Sequence, residues 1–169
     1  MFDRSIRPEW IDFALEQYLR SDSEAQLRES LRNFLRPLVN DPQTLQKTAL
    51  QLQRTVGFRS RLSHQSLEGY YDQLSSMQPD KRNPVRLEIL CRSNEFFADC
   101  VRVLRKLKAS GTEFAELRHL YERLVVIYGD RGMVHRRVRY VIQTLASFGS
   151  VTHCGRTWRV EESLLDVNC

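Results

Sequence analysis

The 169 residues are 41% hydrophobic and 28% charged, with only 7 glycines and 5 prolines, a composition suited to a helical globular protein that can bury a core as one domain or as two small ones. No apolar run is long enough to cross a bilayer, and the opening Met1-Phe2-Asp3-Arg4-Ser5 lacks the charged-then-apolar order of a secretory signal, so the expected compartment is the cytoplasm and no membrane partner is expected. A net charge of +5 and a pI near 9.2 favour a polyanionic partner without compelling one.

In chain order, Pro8 suits the first turn of a helix whose inner face carries Trp10, Ile11, Ala14, Leu15 and Tyr18. Ser21 with Glu24 and Ser23 with Gln26 offer overlapping capping boxes for a second helix that buries Leu27, Leu31, Phe34 and Leu38. Asp41-Pro42 opens a third, with Leu45, Ala49, Leu52 and Val56 inward and Gly57 at its end. Residues 1–60 thus read as a three-helix unit. Its third helix shows Gln43, Gln46, Lys47, Gln51, Gln53 and Arg54 to solvent, which suits a second helix-turn-helix and equally suits an ordinary bundle with a glutamine-rich wet face. Between Glu29 and Glu68 stand Arg32, Arg36, Lys47, Arg54, Arg59 and Arg61 against one acid, Asp41.

Residues 61–83 are the least periodic and read as an irregular connector around a short helix near Ser66–Met77. Residues 84–169 form the third segment. A long helix starts at Asn83-Pro84, bends near Ser93-Asn94, and runs through Phe97, Val101, Leu104 and Leu107 to Gly111; it is also a candidate homodimer interface.

From Thr112 to Val160 the chain reads as helix, tight turn, helix and β-hairpin. Phe114, Leu117, Tyr121, Leu124 and Tyr128 share one helical stripe, and Gly129-Asp130-Arg131-Gly132 breaks it. Val134, Val138, Val141, Leu145 and Phe148 anchor the next helix, Gly149 stops it, and Ser150 to Val160 alternates about a turn at Cys154-Gly155. In that hairpin Val151 and Trp158 face the core, and Ser150, Thr152, Thr157 and Arg159 face away.

From Arg131 to Val160 there are six arginines and no acid. A 100° step per residue, starting from buried Val134, places Arg136, Arg139, Tyr140, Gln143 and Ser147 on the far side of the helix and His135 and Arg137 on its flanks. Arginine can hold a guanine edge, and glutamine an adenine edge, through two hydrogen bonds. Arg136, Arg139 and Tyr140, then Gln143, are therefore the expected base contacts. His135 and Arg137 are expected on phosphates, and Arg156, beside the hairpin tip, on backbone or minor groove. Arg131 and Arg159 are further expected nucleic-acid contacts, as are Lys47 and Arg54 of the third helix, which can reach bases or phosphates. Asp130 or Gly132 is expected to cap the helix and leave its free N–H groups as a further phosphate site.

The segment Thr112–Val160 resembles the winged-helix DNA-binding superfamily. The resemblance rests on element order, periodicity and charge, and it implies a second helix in the major groove with a hairpin wing on the backbone. The wing here is short, with a single arginine beside its tip. The chain as a whole is similar in architecture to accessory DNA-binding proteins of bacterial phage-defence clusters. The fold expected is mainly α: an N-terminal helical bundle followed by a winged helix-turn-helix with a small β-hairpin.

Cys91, Cys100, Cys154 and Cys169 form no CxxC pair and read as free thiols. His135, His153 and Cys154 are poorly spaced for zinc, because adjacent strand residues point to opposite faces; no metal and no cofactor are expected. There is no Gly-rich phosphate loop, GxSxG or HExxH. The expectation is a non-enzymatic double-stranded DNA-binding protein, a regulator or an accessory subunit. The alternative is an adaptor that docks on other protein subunits through apolar residues such as Tyr70, Tyr71, Phe96 and Ile127.

Overall fold

Apolar spacing and capping chemistry account for most of the helix boundaries in the computed structural model, which describes residues 2–169. Helix α1 (Pro8–Arg20) has its proline in the first turn and buries Trp10, Ile11, Ala14, Leu15 and Tyr18. Helix α2 (Glu24–Leu35) is capped by Ser23, whose side chain accepts from the Gln26 N–H while the Gln26 amide oxygen accepts from the Asp22 N–H. It ends one turn earlier than its pattern predicts: Leu35 is fully buried, whereas Leu38 lies past the helix end and is 49% exposed. Helix α3 (Pro42–Val56) is capped by Asp41, and the hydrogen bond from Thr44 holds that carboxyl below the usual carboxylate range.

The expected connector is mostly regular. Helix α4 (His64–Ser76) starts at the Ser63 cap and buries Leu67, Tyr70 and Leu74, and a single 3₁₀ turn (Pro79–Lys81) follows. The expected bend in the next helix is a true break. Helix α5 (Asn83–Ser93) stops at Asn94, whose extended backbone (φ −142°) and side chain, accepting from the Phe97 N–H, start helix α6 (Glu95–Ala109). Asn94 is nearly buried, so Asn94→Ala is expected to lower the unfolding free energy by about 1–2 kcal/mol in urea titration, the usual worth of an N-cap.

Phe114 does not join the following helix. Phe114–Ala115 form strand β1, and Phe114 is 47% exposed. Helix α7 (Leu117–Tyr128) starts from a capping box between Glu116 and His119. Gly129 then turns the chain with φ +78° and ψ 158°, a conformation essentially reserved for glycine. Helix α8 (Gly132–Ser147) buries Val134, Val138, Val141 and Leu145, with Phe148 buried just past its end. Strands β2 (Val151–Cys154) and β3 (Thr157–Val160) pair in the register Val151↔Val160 to Cys154↔Thr157. The two-residue turn is therefore Gly155-Arg156, one position later than the alternation predicts. Strand β1 adds to the free edge of β3, giving an antiparallel sheet in the order β1-β3-β2.

The protein is mainly helical, with this one small sheet, and no helix among the described residues is long and apolar enough to cross a membrane. The buried side chains form a continuous cluster from Phe2 to Val167, and the apolar positions of α5 and α6 are spent within it. Two features fasten the C-terminus. Arg105 donates to the Val167 carbonyl, and a disulfide joins Cys91 to Cys169, with Cα atoms 5.3 Å apart. The expectation of four free thiols therefore fails for that pair, because the tail folds back across α5 and α6. Cys100 and Cys154 remain free, and burial pushes the Cys100 thiol well up.

Candidate functional site

Residues 2–7 precede α1 as an irregular arm that lies along α8. The Asp3 carboxylate pairs with Arg137 at 3.2 Å, and Arg4 donates to the Tyr140 hydroxyl at 2.9 Å. Further along, the Ile6 N–H donates to Thr144 Oγ1 and the Ile6 carbonyl accepts from Ser147. Positions 137, 140, 144 and 147 follow helical spacing, so the arm covers one whole flank of the helix. Its apolar residues Phe2 and Ile6 are fully buried, and the Phe2 ring stands 5.1 Å from that of Phe97.

This arm revises the expected site. The Arg137 side chain, expected on a phosphate, is only 13% exposed and faces Asp3. Tyr140 is half-buried beneath Arg4, whose guanidinium carbon lies 5.3 Å from the ring centre. Ser147 is exposed but its hydroxyl is tied to the arm. What remains open is a narrower outer face: Arg136, Arg139 and Gln143 are exposed, and neither arginine has a carboxylate within ion-pairing distance among the described residues.

His135 sits on the other flank, its ring 4.2 Å from that of Tyr121 and its Nε2 3.7 Å from Asp130. Asp130 therefore faces His135 and does not cap α8. The cap position is Arg131, which makes no capping bond with its side chain. Arg131 and Arg156 are both exposed, the first at the start of α8 and the second at the hairpin turn. Arg159 is exposed but committed to Glu161 at 3.0 Å. That hydrogen bond raises the arginine, while Glu161, which also accepts from Thr152, is held below the usual carboxylate range. Trp158 is half-buried beside His153, and Ser150, expected to face away, is buried.

Helix α3 contributes from the opposite side. Its predicted wet face is only partly wet, since Gln43, Gln46 and Lys47 are exposed and Arg54 is half-buried, but Gln51 and Gln53 are both 2% exposed. The cause is position: α3 packs against α1, α2 and α5, and the arm closes over Gln51, whose Oε1 accepts from the Asp3 N–H at 3.1 Å. Between α3, the arm and the first turn of α8 lies a cleft of about 310 Å³ lined by Arg4, Lys47, Gln51, Arg54, Met133 and Arg136. Candidates from two distant segments, Lys47 and Arg54 of α3 and Arg136 of α8, thus meet in one place. Arg4 and Met133 were not expected there. Met133 is the residue one turn before Arg136, and nothing in the pattern of residues 1–7 indicates where Arg4 lies.

Elsewhere, two arginines of the basic interval between Glu29 and Glu68 are committed to carboxylates. Arg59 pairs with Glu24 at 2.8 Å and Arg61 with Glu95 at 3.6 Å. Of the apolar residues considered for an adhesive patch, Phe96 and Tyr70 are core and Tyr71 is half-buried. Ile127 is 60% exposed beside Val126 at 85%. Comparisons with protein-family models, with curated proteins and with solved structures return no match.

Proposed function

We propose that this chain is a non-enzymatic double-stranded DNA-binding protein of the winged-helix type, in which α8 enters the major groove. The single observation that carries the reading is the outer face of α8, where Arg136, Arg139 and Gln143 are solvent-facing and free of acidic partners among the described residues, on a helix anchored behind by buried valines. The order α6, β1, α7, α8, β2, β3, with β1 paired to the hairpin, supports the same reading. In it, Arg136, Arg139 and Gln143 read base edges. Arg131 at the start of α8 and Arg156 at the hairpin tip hold backbone phosphates. The protein serves as a regulator or as an accessory subunit of a larger assembly.

The test is fluorescence anisotropy on a panel of duplexes at several salt concentrations. The wild type is expected to bind with affinity that falls steeply with salt, about 0.9 in log–log slope per phosphate neutralised. Arg136→Ala/Arg139→Ala is expected to lose at least about 2 kcal/mol, some thirtyfold, and to discriminate less among sequences, because each bidentate base contact is worth roughly 1–3 kcal/mol. Undiminished binding by that variant removes α8 from the site.

A second reading rests on the adjacent exposed pair Val126 and Ile127 on α7: an adaptor that docks on another protein subunit. A stoichiometric partner lost on Val126→Asp, with no duplex binding by the wild type, favours it.

A further inference from the structure

We infer that the cleft between α3 and α8 is a phosphate clamp, seating a backbone phosphate of the same duplex whose groove receives α8. The choice of a nucleic-acid backbone as the source of that phosphate rests on the DNA-binding reading; the chemistry of the cleft does not.

The cleft brings four cationic side chains from three separate segments to one opening: Arg4 from the arm, Lys47 and Arg54 from α3, and Arg136 from α8. Lys47, Arg54 and Arg136 have no acidic partner among the described residues. The one carboxylate in the lining, Asp3, is turned to Arg137. Three unpaired cations gathered in one cleft repel one another, and an anion between them relieves that repulsion.

A second, independent feature points the same way. Gln51 is 2% exposed, its Oε1 is taken by the Asp3 N–H, and its Nε2 has no hydrogen-bond partner. Gln51 lines the cleft, and with its carbonyl end taken by the arm its buried amide donors are the part of the side chain left without an acceptor. A buried donor group without a partner is rare in folded proteins and calls for an acceptor. Lys47, Gln51 and Arg54 recur at i, i+4 and i+7, so one stripe of α3 supplies an ammonium, an amide donor and a guanidinium in line. Phosphate oxygens accept from all three, and a phosphate group fits within about 310 Å³. In the same cleft Met133 gives an apolar wall, which suits the sugar next to a phosphodiester.

The division of labour follows. Arg136 lies at the boundary between cleft and groove face, Arg139 and Gln143 face bases, and Lys47 with Arg54 fixes register without reading sequence. The test is Lys47→Ala/Arg54→Ala in the full chain, one exposed and one half-buried side chain, with the thermal midpoint as a check of folding. Duplex affinity is expected to fall at least about tenfold and by the same factor on every sequence, with the salt slope reduced by about one, the share of the single phosphate in the clamp. The Gln51 side-chain amide resonance is expected to shift when duplex is added to the wild type.

Unchanged affinity and slope in this variant overturn the clamp, even if Arg136→Ala/Arg139→Ala abolishes binding and the DNA reading stands. A wild type that binds no duplex overturns the DNA reading. In that case, inorganic phosphate or a nucleoside triphosphate that raises the thermal midpoint of the wild type but not of the variant retains the clamp for a free phosphate. No response to either probe overturns both.

Discussion

Phe2→Ala is expected to lower the unfolding free energy by at least about 3–4 kcal/mol, the usual cost of emptying a fully buried aromatic site. The residue lies on an arm outside every helix and strand, so the size of the effect is informative. Its ring packs on Phe97 of α6, and with Ile6 it holds down an arm whose polar groups are spent on α3 and α8. Releasing the arm therefore costs more than a cavity. The Asp3–Arg137 pair and the bonds of Asp3 to Gln51 and of Ile6 to Thr144 and Ser147 are lost together. Urea titration measures the total. Amide hydrogen exchange at Ile6, whose N–H is held by buried Thr144, reports whether the arm has lifted. A loss under about 1 kcal/mol would mean that the arm is not part of the core, and that the flank of α8 through Arg137 and Tyr140 is open to ligand.

The helices were legible where apolar spacing and a capping side chain agree. Pro8, Ser23, Asp41 and Gly129 mark boundaries that the structure keeps, and the stripe of Val134, Val138, Val141 and Leu145 is the buried face of α8. Errors gather where local pattern competes with a partner distant in sequence. Phe114 fits a helical stripe, but the edge of β3 offers its backbone a strand to pair with. Gln51 and Gln53 look like surface residues on composition, yet α3 is hemmed in by three helices and the arm. The Cys91–Cys169 pair spans 78 residues and leaves no trace in spacing.

The outer face of α8 was readable because it depends on one helix and its period. The cleft was not, because it depends on how two helices and an arm are juxtaposed. The arm has five residues between Phe2 and Pro8 and no repeat by which a face could be assigned. Its effect is to cover Arg137 and Tyr140 and to bring Arg4 to the cleft.

The tie between the two halves of the chain yields the other large effect. Arg86 on α5 is 8% exposed and meets Asp12 of α1 in a two-pronged pair, Nε to Oδ1 at 2.8 Å and NH2 to Oδ2 at 2.6 Å. Its third nitrogen donates to Asn83 Oδ1, and Asn83 in turn donates to the Phe148 carbonyl at the end of α8. Asp12→Leu is expected to cost about 3 kcal/mol, since it strands a buried guanidinium; Arg82, on the rim of the same carboxylate, brings a second unpaired charge. Arg86→Met alone is expected to cost less, because Asp12 is a quarter exposed and keeps Arg82. The double variant Asp12→Leu/Arg86→Met is expected to recover most of the loss, since a well-packed apolar pair commonly matches a buried ion pair in stability. Urea titrations of the four proteins close the cycle, and a coupling below about 0.5 kcal/mol would show that the two groups act independently. Because Asn83 links this pair to the end of α8, duplex binding by the double variant then separates two roles. Retained affinity makes the pair a matter of stability alone, and weakened affinity at restored stability makes it part of what aims α8.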